Sequence, residues 1–192
     1  MLSPKIETDR LILRRYEEND IEMQYTILTD ERLAKYVKFP RLSKEKELEC
    51  IKKWISEADT SKYEKWVITL KGSHIAIGNI SVNGIEKKHN YCNVGYVIMY
   101  DYWGNGYASE ALKAVSDYLL DSGYYLVECS CNELNVQSSK VMLKAGFKKD
   151  GYIANRRLNK DGSYSGVEYY SKTKWLYNFS LFGWITYINV VI

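Results

Sequence analysis

Residues 102–109 read Tyr-Trp-Gly-Asn-Gly-Tyr-Ala-Ser and link an apolar, strand-like run over 91–100 to a run of helical periodicity over 108–120. A turn that leads from a strand into a helix leaves several backbone N–H groups unpaired at the positive end of the helix dipole, which suits a phosphate or diphosphate. Gly104 and Gly106 lack a Cβ, so an anion can approach the main chain closely. The stretch therefore predicts an anion-binding loop, with an ordinary glycine turn at the end of a strand as the alternative.

The composition indicates one globular domain without a nucleic-acid partner. The chain has 192 residues, of which 46% are hydrophobic and 27% charged. A chain of this length buries roughly 70% of its unfolded surface. The formal net charge of +3 is small, and the basic pairs are dispersed along the sequence. We therefore expect no direct contact with nucleic acid.

Cysteine and histidine spacing predicts neither a disulfide framework nor a metal site. None of the four cysteines forms a C-x-x-C motif, and neither His74 nor His89 completes a metal-ligand spacing. The first ten residues include Glu7, Asp9 and Arg10 and lack the apolar core of a signal peptide. A reducing cytoplasm, away from the membrane, is the expected location.

The order of patterned segments predicts an α/β (α+β) fold with a mixed, mainly antiparallel sheet and about four helices. The predicted elements are a strand over 6–16, a helix capped by Asn19–Asp20, a helix capped by Ser43, a hairpin over 66–82, a strand over 91–100, a helix over 108–120, a strand over 124–131, a helix from Asn135 to Gly146, and a hairpin around the 160–163 turn.

Three stretches occur in a characteristic order. They are Glu-Thr-Asp-Arg-Leu-Ile-Leu-Arg at 7–14, Gly-Tyr-Val-Ile at 95–98 followed by the glycine loop and Glu110, and Asn135-x-x-Ser138 followed by Lys-Ala-Gly-Phe at 144–147 and by Gly151. Together they resemble the GNAT N-acetyltransferase superfamily, which moves an acetyl group from acetyl-CoA to an amine. The first stretch resembles its ribosomal-protein-alanine N-acetyltransferase branch. The similarity spans about residues 6–175 and implies a GNAT domain over 1–175 with an extension over 176–192.

The resemblance implies where acetyl-CoA, the co-substrate, would bind. A splayed pair of central strands would leave a slot for the pantetheine arm, and Gly95 fits a disrupted strand. Backbone groups of Val97, Ile98 and Met99 would contact the pantetheine amides and the thioester. The N–H groups that would bind the diphosphate belong to Trp103, Gly104, Asn105, Gly106, Tyr107 and Ala108.

The helix that begins at Asn135 carries the other implied site residues. Asn135 would contact pantetheine, with a helix N-cap as the alternative interpretation. Ser138 would lie beside the departing CoA sulfur and could protonate it, or could simply fill the first turn. Many relatives have a tyrosine one turn further along, where this chain has Met142, so a tyrosine acid at that position is excluded.

No residue stands out as the general base. Relatives often carry acids where this chain has Asn93 and Gly166, and Glu168 is the candidate substitute, with a surface carboxylate as the alternative. A missing base favours an acceptor of low pKa, such as a protein N-terminal α-amine, over a lysine side chain. A small-molecule amine, such as a polyamine or an antibiotic, and a CoA-binding module without turnover are the competing hypotheses.

The end of the chain departs from the resemblance. Residues 176–192 carry no charge and include an apolar run at 181–185. They are somewhat short and too often interrupted by polar residues for a membrane span. We expect this extension to pack on the domain or to form a contact between two copies of the chain.

Overall fold

The computed structural model describes residues 3–36, 42–59, 64–159 and 161–174. Within these ranges the strands are β1 (Ile6–Glu7), β2 (Leu11–Arg14), β3 (Lys65–Leu70), β4 (Ala76–Glu86), β5 (Tyr91–Ile98), β6 (Leu126–Asn132), β7 (Lys148–Leu158) and β8 (Tyr164–Thr173). The α-helices in the same ranges are α1 (Ile21–Thr29), α2 (Lys44–Ser56), α3 (Tyr107–Asp121) and α4 (Val136–Lys144). The strands form one sheet in the order β1-β2-β3-β4-β5-β6-β8-β7.

The sheet separates two apolar cores. Adjacent residues of a strand point to opposite faces: Val67 of β3 packs with α1 and α2, and Ile68 packs with α3 and α4. Both side chains are completely buried. Among the described strand pairs, β5–β6 is parallel and the others are antiparallel. The predicted mixed, mainly antiparallel α/β fold is thus confirmed.

Strands β5 and β6 diverge in the middle of the sheet, as predicted. They pair only where Tyr91, Cys92 and Asn93 lie opposite 126–128, although both strands continue beyond this point. Gly95 lies in the part of β5 that has separated from β6, as predicted; it pairs regularly with Ser81, and the bulge beside it lies in β4 at Asn83. A Cβ on Gly95 would collide with the Asn83 side-chain amide, so the glycine makes room for this bulge.

The predicted first strand over 6–16 is wrong, because a tight turn divides it into β1 and β2. The Thr8 N–H donates to the Leu11 carbonyl, and the Leu11 N–H donates to Thr8 Oγ1, each at 3.0 Å. The turn lies in the polar stretch from Glu7 to Arg10, just before the apolar residues Leu11, Ile12 and Leu13. The turn brings Arg10 to the end of the hairpin, close to the glycine loop.

The predicted cap of the first helix is also wrong. Asp20 precedes α1, but its carboxylate does not accept a capping hydrogen bond from that helix. It is buried and receives two hydrogen bonds of 2.8 Å from the Arg14 guanidinium. Pairing with an arginine satisfies a buried carboxylate more strongly than a single amide does. The predicted cap of α2 is confirmed, since Ser43 accepts from the Lys46 N–H at 3.4 Å.

The predicted C-terminal extension, 176–192, and its suggested packing or dimer contact lie outside the described residues. Lys160, in the predicted final turn, also lies outside them. Across the ranges that are described, no helix combines the length and the apolar character needed to cross a membrane.

Candidate active site

A pocket of about 440 Å³ opens where β5 diverges from β6, between the glycine loop and α4. It brings together predicted site residues from three separate segments, namely Val97, Ile98, Trp103, Gly104, Gly106, Tyr107, Ala108, Asn135 and Ser138. Met99, Asn105 and Glu168 do not line it. The predicted residues in the pocket run from Val97 to Ser138, and the complete lining runs from Leu33 to Lys144.

The glycine loop has the backbone shape that its sequence indicates. Gly104 and Gly106 have φ of +81° and +79°, in the left-handed region that favours glycine. The Asn105 side-chain amide donates to the carbonyls of Tyr102 and Trp103, each at 3.2 Å. This side chain closes the turn from outside the pocket lining, and Gly104 and Gly106 on either side of it line the pocket.

The N-termini of α3 and α4 differ in how they are capped. The N-cap of α3 is Gly106, which has no side chain to accept from the first amides. The N-cap of α4 is Asn135, whose Oδ1 accepts from the Ser138 N–H at 3.1 Å. The α3 terminus thus presents uncapped amides to the pocket, as an anion site requires. For Asn135 the alternative interpretation, a helix N-cap, is confirmed.

Beyond the residues of β5 that pair with β6, some backbone N–H and C=O groups of the strand already have hydrogen-bond partners. The Met99 N–H donates to the Ile77 carbonyl of β4 at 2.8 Å, and the Ile98 carbonyl accepts from Trp103 Nε1 at 2.8 Å. Along a strand, successive residues direct their polar groups to opposite sides. The Ile98 N–H therefore faces the gap, whereas the backbone polar groups of Val97 and the Met99 N–H face β4.

Ser138 is hydrogen-bonded to the Tyr96 hydroxyl of β5. Its Oγ lies 2.8 Å from the hydroxyl of Tyr96, which also lies 3.1 Å from the Ser138 carbonyl oxygen. Burial raises the pKa of Tyr96 well above its usual range, so its hydroxyl stays protonated near neutral pH. When Tyr96 donates to Ser138 Oγ, the serine proton is free to point into the pocket.

Glu168 lies on β8 outside the pocket lining. It accepts from Lys149 Nζ at 2.5 Å and from the Tyr170 hydroxyl at 2.7 Å. The hydrogen bonds from Lys149 and Tyr170 hold the pKa of Glu168 below its ordinary value. These contacts make its carboxylate a weak base, and the assignment of Glu168 as the general base stays a prediction.

The model of the Acetyltransferase (GNAT) domain matches residues 10–148, well over half of the chain. The chain belongs to the GNAT acetyltransferase family. Among curated proteins, this GNAT chain is 27% identical over 173 residues to the uncharacterized N-acetyltransferase YoaA of Bacillus subtilis (strain 168), and the match covers 89% of this chain and 97% of YoaA. Family and fold identify it as an acyltransferase.

Solved structures share the GNAT fold across most of their length. RimL, a ribosomal L7/L12 α-N-protein acetyltransferase solved in complex with coenzyme A, has a TM-score of 0.78 at 20% identity, over 88% of this chain and 98% of RimL. The ribosomal-protein-S5-alanine acetyltransferase from Vibrio fischeri has a TM-score of 0.77 at 19% identity, over 88% and 96% of the two chains. At these identities the likeness establishes the fold alone.

Several residues of the GNAT pocket were not assigned a role from the sequence. Tyr96 stands 42 positions from the serine it contacts, so no local spacing reveals the pair. Tyr36 lines the pocket from the segment after α1 and packs against Trp103 with ring centroids 5.9 Å apart. Lys140 and Lys144 also line it, and their i, i+4 spacing on α4 was a signal available in the sequence.

Glu110, in the first turn of α3 after the glycine loop, forms hydrogen bonds to the N-terminal β1–β2 hairpin. It accepts from the Thr8 hydroxyl at 2.6 Å and from the Arg10 backbone N–H at 3.0 Å. Burial acts to raise the pKa of Glu110, but the hydrogen bonds from Thr8 and Arg10 outweigh it and hold the pKa below its ordinary value near 4.5.

We expect Glu110→Gln to lower the free energy of unfolding by about 1–2 kcal/mol at pH 7, because hydrogen bonds to a charged acceptor are replaced by weaker ones. A depressed pKa stabilises the folded state above about pH 4.5 and loses that contribution as the pH falls through the folded-state value. Urea unfolding at pH 7 and at pH 3.5 measures the difference. The matched variant Glu22→Gln removes an exposed ion pair with Lys44 and should cost less than about 0.5 kcal/mol. A loss for Glu110→Gln that is equal at both pH values would contradict this account.

Proposed function

We propose that this chain transfers an acetyl group from acetyl-CoA to a primary amine, with a protein N-terminal α-amine as the favoured acceptor. The observation that carries the proposal is the meeting of a glycine loop, an uncapped helix N-terminus and an open strand gap in one pocket. RimL, whose fold this chain shares, was solved with coenzyme A and is named as an α-N-protein acetyltransferase.

The charge of the pocket rim supports a polyanionic donor. The backbone N–H groups of the pocket-lining residues Gly104, Gly106, Tyr107 and Ala108 would receive the diphosphate, each contact contributing ~0.3–1 kcal/mol. The Trp103 N–H already donates to the Tyr100 carbonyl at 3.0 Å. Lys140 and Lys144 line the same pocket, and neither has an ion-pair partner among the described residues. Their two positive charges would attract the remaining phosphate charge of the coenzyme.

The strand gap supports a role in holding the pantetheine arm and the thioester. The Ile98 N–H faces the gap and would donate to the thioester oxygen, while the Ile98 carbonyl already accepts from Trp103 Nε1. A donor aimed at that oxygen stabilises the negative charge that develops as the amine attacks. Asn135, which caps α4, has its side-chain NH₂ left to donate to a pantetheine carbonyl.

Ser138 and Tyr96 together suit protonation of the leaving sulfur. In the proposed step the amine nitrogen forms a bond to the thioester carbonyl carbon, the carbon–sulfur bond breaks, and the electron pair leaves with the sulfur. Ser138 Oγ gives its proton to that thiolate and recovers one from Tyr96, from which it lies 2.8 Å. The proton lost by the amine nitrogen returns to the tyrosine through solvent.

The choice of acceptor rests on the energy needed to obtain a neutral amine. An α-amino group with a pKa of ~7.7–8.0 is about a tenth neutral near pH 7, at a cost of ~1 kcal/mol. A lysine side chain, with a pKa of ~10.4, would cost ~4–5 kcal/mol. Glu168 is ion-paired with Lys149, and among the described residues no carboxylate lines the pocket, so this part of the chain offers no strong base to the more demanding acceptor.

The experiment that tests the proposal has a binding stage and an acceptor stage. Calorimetry with CoA measures whether the full chain binds the donor. Acetyl transfer is then measured for peptides with a free N-terminus, for the same peptides with a blocked N-terminus and one lysine, and for polyamines and aminoglycoside-type amines. Transfer to free N-termini alone is the expected result. Transfer to small amines alone would contradict the N-terminal acceptor and identify a small-molecule amine instead. Tight CoA binding without any transfer would favour a CoA-binding module without turnover.

A further inference from the structure

Arg10, at the end of the β1–β2 hairpin, contacts the glycine loop without lining the pocket. Its Nη1 donates to the Asn105 carbonyl at 2.9 Å, and its Nε donates to Glu110 Oε2 at 2.7 Å. The guanidinium also lies 4.9 Å from the centroid of the Tyr107 ring. One side chain thus contacts the loop and the first turn of α3, although Arg10 is 95 residues from Asn105 in sequence.

The bond to the Asn105 carbonyl fixes the direction of the next amide. In a trans peptide the C=O and the following N–H point in opposite directions. Because the Asn105 carbonyl points to Arg10, the Gly106 N–H points away from Arg10, and Gly106 lines the pocket. A glycine can rotate into other backbone conformations at little cost, so this peptide needs an external contact to keep its orientation.

The ion pair with Glu110 has a second effect on the loop. Glu110 places a carboxylate within the first turn of α3, where a bound diphosphate would meet it as a like charge. Arg10 Nη2 lies 2.6 Å from Glu110 Oε2 and neutralises this charge. The helix terminus therefore keeps its attraction for anions although an acidic residue stands beside it.

We propose that Arg10 is a positioning residue for the coenzyme diphosphate: it directs the Gly106 N–H into the pocket and cancels the charge of Glu110 without touching the ligand. This inference rests on the proposed function, because it requires acetyl-CoA as the donor. It goes beyond that function in assigning the N-terminal hairpin, which is distant in sequence, to donor binding.

The test compares two ligands that differ in the diphosphate. The dissociation constants of CoA and of pantetheine, which lacks the diphosphate and the nucleotide, are measured for wild type and Arg10→Gln. We expect the Kd of CoA to rise about tenfold, in the range of one strong anion contact at a helix terminus, and that of pantetheine to change less than about twofold. Arg10→Lys restores the charge but lacks the fork that reaches both partners, so its Kd for CoA should stay about threefold above wild type. Arg15→Gln, which removes an ion pair with Asp59 away from the pocket, is the matched control.

The possible outcomes separate this inference from the proposed function. Wild type that does not bind CoA would remove the proposed function, and this inference with it. If wild type binds CoA, and Arg10→Gln weakens the binding of CoA and pantetheine equally or weakens neither, the inference alone is overturned. Full recovery with Arg10→Lys would show that charge suffices and would overturn the orienting step. A thermal unfolding curve shows whether Arg10→Gln folds. If it does not, the two ligands are compared with Arg10→Lys instead. A loss of affinity for CoA alone then supports the inference, and an equal loss for both ligands overturns it.

Discussion

Replacing Ser138 by alanine is expected to lower kcat for acetyl transfer about 100-fold, with the Kd of CoA changed less than about twofold. A positioned proton donor contributes ~10²–10⁴ to a rate, and Ser138 Oγ is the group that Tyr96 holds at the pocket wall. The loss should fall on kcat because the thiolate needs its proton only as the carbon–sulfur bond breaks. Steady-state kinetics with the best acceptor, and calorimetry with CoA, measure the two quantities.

Two further variants test whether the loss belongs to this proton path. Tyr96→Phe keeps the aromatic ring and the serine, and it should lower kcat about tenfold because the serine loses the donor that replaces its proton. Ser139→Ala is the matched control on the same helix, since its hydroxyl lies 2.5 Å from Tyr170 and outside the pocket lining. Equal losses in Ser138→Ala and Ser139→Ala would indicate damage to α4 and would remove Ser138 from the chemical step.

Replacing Gly106 by valine is expected to raise the Kd of CoA about 50-fold or more. Gly106 has φ of +79°, where a β-branched residue is strained by roughly 1–2 kcal/mol. Relief of that strain would move the loop, and each diphosphate contact that is lost would cost ~0.3–1 kcal/mol more. Isothermal calorimetry with CoA measures the change in affinity, and thermal unfolding reports the stability of the variant.

Gly72→Val is the matched control for backbone strain. Gly72 has φ of +93° in the turn between β3 and β4, with no atom within 4 Å of an added Cβ. It should lose a similar amount of stability and keep the Kd of CoA within about twofold. A Gly106→Val protein that binds CoA as tightly as wild type would show that the diphosphate is held elsewhere.

The sequence was sufficient to predict features that depend only on residues close together along the chain. The predicted helix over 108–120 is α3, Tyr107–Asp121, because apolar spacing and the glycine loop define it locally. The Ser43 cap and the Asn135 cap were predictable for the same reason, since each bonds an amide three residues on. These features required no knowledge of how distant segments pack.

Features that depend on packing could not be predicted. Asp20 had the sequence of a cap, but Arg14 on the adjacent strand offered a stronger partner to its buried carboxylate. Tyr96 acquires a partner on α4 only when β5 and α4 are brought together across the divergent strands.

The divergence of β5 from β6 leaves a gap, and a ligand bound there would couple the stability of the fold to the supply of that ligand. Main-chain donors at the centre of the sheet, such as the Ile98 amide, have no neighbouring strand with which to pair. An extended amide-bearing arm in this cleft would act as a temporary strand, and anything that binds only the folded chain adds to its stability. In a cell that is well supplied with acetyl-CoA, such a protein would resist unfolding and proteolysis better than in a starved one.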